Sequence, residues 1–195
     1  MGFLDKVRET LRDKSGDELC AHLRSLGIDA QMAPRGRARE YIAAKKGLVE
    51  TWESLGVVDI SGGLIHWVNV LRERTEHVTL YGIDYGVPDP NMTPGFPMVE
   101  VKMVVKKSFL LVGRVIDIEW RGNRHGKSVA ADLNNDSSLK NPLIEREMKV
   151  KIRAYPYDGC WLIMEEKLKP LTIEVWQCYQ RIAQHLLSAG SLISP

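Results

Sequence analysis

The first third of the chain spaces its apolar residues three and four apart. Phe3, Leu4, Val7 and Leu11 make one stripe, which predicts an amphipathic helix. After Ser15-Gly16, Asp17 stands as the cap or first-turn residue of a second helix. Leu19, Cys20, Leu23 and Leu26 share one face of it and Gly27 stops it. Ile28 to Met32 reads as a short strand and Ala33 to Gly36 as a loop. A third helix is predicted from Arg37 to Leu55, with Ile42, Val49, Trp52 and Leu55 inward and Gly56 as its stop.

From Gly56 the apolar period changes to two. Val57–Ile60 and Leu64–Leu71 read as strands around Ser61-Gly62-Gly63, and Val78–Ile83 as a third. Residues 87–97 hold Pro88, Pro90, Pro94 and Pro97, which excludes a central strand or a helix interior. Met98–Lys107 and Val115–Trp120 alternate again, and a basic loop, Arg121 to Lys127, leads to a predicted strand Ser128–Leu133. Asp136 or Ser137 caps a predicted short helix to Arg146. Met148 to Ala154 is a half-buried strand by its alternation. Pro156-Tyr157-Asp158-Gly159 turns it into the strand Cys160–Glu166, and Thr172–Ala189 is an amphipathic helix.

Helices, then hairpin-linked strands, then one long helix predict an α+β fold: N-terminal helices followed by a mostly antiparallel β-sheet packed by the C-terminal helix. The change of period divides a helical segment 1–55 from a sheet domain 56–195. No flexible linker marks that boundary, so one continuous domain 1–195 is equally consistent.

Composition narrows the function. The 195 residues are 44% hydrophobic and 27% charged, with 27 basic against 25 acidic side chains and a net charge of +2. That excludes an acidic tail protein or a strongly basic nucleic-acid coat. No apolar run reaches the roughly 18 residues that span a bilayer. Charge begins at Asp5, so no secretory leader is expected, and Lys6 stands where a myristoylation signal wants Ser or Thr. Cys20, Cys160 and Cys178 are odd in number and unpaired in spacing. They predict buried thiols in a reducing, cytoplasmic setting.

Several specific chemistries fail on spacing. Gly122-Asn123-Arg124-His125-Gly126-Lys127-Ser128 has three residues before its Gly-Lys-Ser, where a phosphate loop has four and then opens a helix. Here a strand is predicted to follow. Asp132, Asn134 and Asp136 start a calcium-loop pattern that fails at Ser137 and Leu143. His22, His66, His77, His125 and His185 form no metal spacing, and Cys178 and His185, seven apart, share a helix face but are only two ligands. Glu165 and Glu166, adjacent on a strand, point to opposite faces and make no carboxylate pair. The sequence therefore proposes no catalytic residue, no metal and no cofactor.

Two sites remain as candidates. Between Val101 and Ala130 seven cations (Lys102, Lys106, Lys107, Arg114, Arg121, Arg124, Lys127) face two carboxylates, an excess of five. Arg121, Arg124, His125 and Lys127 are the expected anion-binding group. Asp84, Tyr85 and Asp89 offer polar groups at the Pro-rich loop, with Asn91 and Phe96 beside them. The leading expectation is a non-catalytic binding or interaction module with a protein partner or a second copy of itself, because the helical third carries more apolar surface than one sheet covers. One alternative is a nucleic-acid-binding protein of winged-helix type, with Arg37, Arg39, Lys45 and Lys46 on the third helix and the 57–71 hairpin as the wing. Residues 1–50 hold ten basic and eight acidic residues, a weak footprint for it. The other is an enzyme with a dispersed site near loops 87–97 and 121–127.

Overall fold

The alternation that starts after the helical third becomes eight strands of one antiparallel sheet. In the computed structural model, residues 14–34, 52–74, 77–109, 113–147, 149–166 and 169–193 are described. Helix α1 (Ser15–Ser25) is followed by β1 (Ala30–Met32), β2 (Trp52–Ile60), β3 (Trp67–Arg74), β4 (Thr79–Pro88), β5 (Glu100–Lys107) and β6 (Val115–Gly122). Then come α2 (Lys127–Asn135), a 3-10 turn (Ser137–Leu139), α3 (Lys140–Arg146), β7 (Val150–Tyr155), β8 (Cys160–Glu165) and α4 (Ile173–Ile193). The chain thus mixes helices with an eight-stranded sheet of order β1-β2-β3-β4-β8-β7-β5-β6. Strand β2 runs unbroken through residues 55 and 56 and pairs with both β1 and β3.

The sheet has two unlike faces, because side chains alternate along each strand. Val58, Val70, Ile83, Tyr85, Ile152 and Ile163 point to one face. They are buried there with Leu19 and Leu23 of α1, Leu133 of α2, Leu143 of α3 and Tyr179, Ile182 and Leu186 of α4. This inner face is the main core. On the outer face a smaller cluster joins Val57, Trp67, Cys160, Leu162 and Met164.

Several sequence expectations change. Ser128–Leu133 lies in helix α2, whose buried residues are Val129, Ala130 and Leu133. That spacing of one and four is helical, and the short apolar run had masked it. Trp52 to Leu55 belongs to β2, not to a third helix. Gly56 is no helix stop but sits at a bulge of β2, where the register shifts between Ser54 and Gly56. Val87 and Pro88 end strand β4 opposite Trp161 and Cys160, so the Pro-rich loop begins at Asp89. The predicted helix over residues 3–11, most of the third helix, and Arg37, Arg39, Lys45 and Lys46 lie outside the described residues. The 57–71 hairpin is no free wing, since β3 continues the sheet into β4.

One buried ion pair ties the inner face together. Glu165 on β8 accepts from Arg146 Nε at 2.6 Å and Nη2 at 2.9 Å. The hydroxyls of Tyr85, at 3.1 Å, and of Tyr179 donate to the same carboxylate. Burial, reinforced by the Glu165 charge, pushes both phenols well above their ordinary pKa, so they act as neutral donors. Glu166, the next residue, is exposed, as the alternation requires.

Both outer strands of the sheet are guarded. β1 is only three residues long. On β6 the amide of Asn134 accepts from Trp120 N at 2.8 Å and donates to Trp120 O at 2.9 Å. It takes the place of a neighbouring strand at that residue. A third guard is the Asp117 carboxylate, which accepts from the backbone N–H of Ile118. Edges occupied in this way resist strand addition by another chain.

Candidate functional site

The outer face is organised in rows by the strand register. One row runs Asn69, Asp84, Met164, Lys151, Lys102, Arg121 across six strands, each residue paired with the next. The parallel row runs Trp67, Gly86, Leu162, Arg153, Glu100. On the middle of β4 the outer positions are Gly82, Asp84 and Gly86. The two glycines let large rings lie on the sheet. A Cβ at Gly86 would fall 1.9 Å from the Trp67 ring, and one at Gly82 would fall 3.3 Å from the Trp52 ring. Asp84, at 1% exposure, sits between these two tryptophan-covered positions. Next to it Asn69 accepts from Ser54 Oγ at 2.6 Å.

Beside Asp84 is a cavity of about 140 Å³. Trp52, Leu71, Asp84 and Met164 line it on the β2, β3, β4 and β8 side, and Lys151 and Arg153 line it from β7. Its floor is buried and its walls carry opposite charges. Next to the positive side, formed by Lys151 and Arg153, three cations converge on one carboxylate. Glu100 accepts from Arg153 Nε at 2.7 Å and lies 2.9 Å from Lys102 Nζ and 3.5 Å from Lys151 Nζ. Three positive charges against one leave an excess of two. Partial burial alone would raise the Glu100 pKa, but hydrogen bonds from Lys102 and Arg153 outweigh it and hold it at about 2. Burial, with Arg153 adjacent, lowers the Lys151 pKa. For Tyr155, burial and the Asp84 charge raise it.

The sequence-predicted anion group is arranged differently. Arg121 lies at the end of the Asp84 row and pairs with Glu119 at 3.0 Å. Arg124, His125 and Lys127 are exposed in the turn that opens α2. A Cβ at Gly122 would fall 2.1 Å from Gly126 O, so the glycines of this turn serve a close crossing of its own backbone. A helix does follow Gly126-Lys127-Ser128, contrary to the predicted strand, yet the three-residue spacing still departs from a phosphate loop.

The Pro-rich-loop group is not one cluster. Asp84 faces outward, Tyr85 faces the inner core, and Asp89 anchors the loop. Asp89 accepts from Trp161 Nε1 at 2.9 Å and from Asn91 N at 2.9 Å, while Phe96 packs edge-on against Trp161 at 5.6 Å. These contacts make the loop a fixed connection. Cys178 and His185 do share a face of α4. His185 Nε2 lies 2.9 Å from Asp136 Oδ2, and Cys178 Sγ lies 3.9 Å from Ser138 O. Burial, then the Asp136 charge, pushes the Cys178 thiol up to about 11, which disfavours a thiolate nucleophile. Asp136 caps the 3-10 turn through Ser138 N at 3.1 Å.

Sequence reasoning missed Trp52, Lys151 and Arg153 as a group. Lys151 and Arg153 read only as the polar half of an alternating strand, and Trp52 was assigned to a helix. A usable signal was Gly82-x-Asp84-x-Gly86. Its outer positions carry no apolar side chain, while Ile83, Tyr85 and Val87 alternate with them on the buried face.

No protein-family model, curated protein or solved structure matches this chain. Among the described residues, no three His, Cys, Asp or Glu side chains are grouped to hold a metal ion, and no helix is long and apolar enough to cross a membrane.

Proposed function

We propose that this protein is a non-catalytic binding module that holds the anionic group of a small ligand on the outer face of its sheet. The observation that carries the reading is the pair of cations, Lys151 and Arg153, that β7 sets at the wall of a cavity, both held beside the Glu100 carboxylate. Charge-assisted hydrogen bonds from partly desolvated cations are the strongest polar contacts such a wall can offer. The cavity, about 140 Å³, is close in size to cavities that accept benzene-sized guests. Arg153 and Glu100 hold their charges against burial. Partial burial would lower the Arg153 pKa, but the Glu100 carboxylate outweighs it and raises it, while Glu100 itself stays low. That arrangement suits binding better than general acid–base chemistry.

The test is calorimetric titration of the full chain with propanoate and with inorganic phosphate at low and physiological salt. Lys151→Met/Arg153→Met is the comparison protein, its fold checked by circular dichroism. Binding that weakens with salt and is lost in the double variant supports the reading. Absence of binding by either anion, or a double variant that binds as the parent does, overturns it.

A further inference from the structure

The cavity is bipolar, and the geometry points to a zwitterionic ligand, a short amino acid with its ammonium and carboxylate at opposite ends. We infer this on top of the anion-binding reading. Asp84, Met164 and Lys151 occupy consecutive positions of one row on β4, β8 and β7. The carboxylate of Asp84 is at one end and the ammonium of Lys151 at the other, with the thioether of Met164 between them. Glu166, just past β8, adds a second carboxylate to the lining, and Arg153 adds a guanidinium on the basic side.

Two strand spacings of about 4.8 Å separate the ends of the row by about 10 Å. Lys151 Nζ lies 3.5 Å from Glu100, on the side of β7 away from Asp84, so the opposed charges are at least about that far apart. Two charge-assisted hydrogen bonds of about 2.8 Å each leave at least about 4 Å between the charged groups of the ligand. An extended chain of three bonds of about 1.5 Å, from nitrogen to carboxyl carbon, spans that gap. The match is a β-amino acid such as 3-aminopropanoate. Its ammonium faces Asp84, its carboxylate faces Lys151 and Arg153, and its methylenes rest on Met164 beneath the Trp52 ring.

The experiment titrates the unmodified full chain with 3-aminopropanoate, propanoate, propylamine and 6-aminohexanoate, reading calorimetry and tryptophan emission. The expected result is that 3-aminopropanoate binds at least about ten-fold more tightly than either single-charge analogue, and that 6-aminohexanoate, too long for the row, binds no better than propanoate. Equal binding of 3-aminopropanoate and propanoate overturns the zwitterion while leaving the anion site standing. Propylamine binding as well as 3-aminopropanoate overturns the zwitterion and assigns the cavity to cations. Failure of all four overturns the cavity as a binding site altogether. Asp84→Asn supplies the complementary arm. In a variant that keeps the parent's circular dichroism, the preference for 3-aminopropanoate over propanoate should vanish while propanoate affinity stays within about two-fold; a retained preference counts against Asp84 as the ammonium partner.

Discussion

Removing Arg146 should expose how the buried pair supports the fold. The Glu165 side chain is fully buried and that of Arg146 is 3% exposed. A carboxylate offers about four lone-pair sites, and here two Arg146 nitrogens and two tyrosine hydroxyls fill them. The other guanidinium contacts go to Pro170 O at 2.9 Å and Lys169 O at 3.3 Å. Arg146→Met leaves a buried carboxylate with only the two phenols. Breaking a buried pair from one side costs about 3–5 kcal/mol, out of a total of about 5–15 kcal/mol for a typical domain. With a urea slope of about 2–3 kcal/mol/M, the midpoint should fall by about 1–2.5 M. Arg146→Met/Glu165→Gln removes both charges and keeps an oxygen for Tyr85 and Tyr179. It should cost about 2 kcal/mol less than the single variant. A single-variant cost below about 1 kcal/mol, or no recovery in the double variant, would refute the assignment of Glu165–Arg146 as a coupled charge pair.

Three further outcomes are expected. Gly86→Ala places a Cβ 1.9 Å from the Trp67 ring, so overpacking should lower stability by about 1–3 kcal/mol and alter the near-ultraviolet dichroism of the tryptophans; an unchanged urea midpoint would contradict the ring-over-glycine packing. Asn134→Ala uncovers the Trp120 backbone on β6, and sedimentation velocity should show more concentration-dependent association than the parent does. Identical sedimentation of the two proteins would argue that Asn134 is not what closes that edge. Glu100 has a folded pKa of about 2 against an ordinary value of 4.5. A depressed carboxylate contributes stability that is complete above its unfolded pKa and is lost as pH falls towards its folded one. Glu100→Gln should therefore flatten the dependence of Tm on pH between about 4.5 and 2, and a parent-like slope in that window would count against the cation cluster.

Much of the architecture was legible because burial imposes a period on each element. The strands at 100–107 and 150–155 and the long helix from 173 were visible as alternation or as a stripe, since each buries a single face in one core. The misses have local causes. Val129-Ala130-Ala131 is too short and too apolar to show a period. Trp52 could be counted on the preceding helical stripe as easily as on β2, whose outer face buries it only partly. The candidate site was the least legible part. Its acidic residue comes from β4, its aromatic ring from β2 and its cations from β7. Nothing local marks Lys151 and Arg153 apart from other charges on a half-buried strand. The basic loop at 121–127 drew attention because its charges are adjacent in sequence, whereas the structure spreads them over an exposed turn.

What the sequence determined by itself is which way side chains point on the clearly alternating strands: Val101 and Ile152 toward a core, Lys102 and Lys151 away from it. The two-residue period of a strand follows from its own backbone geometry, so a single strand reveals it. Only the tertiary structure decided which residues became neighbours. The insertion of β8 and β7 between β4 and β5 brings Asp84 within two strands of Lys151, although 66 residues separate them in the sequence. Pairing order and register depend on how the whole set of apolar faces is buried together, and no local segment carries that information.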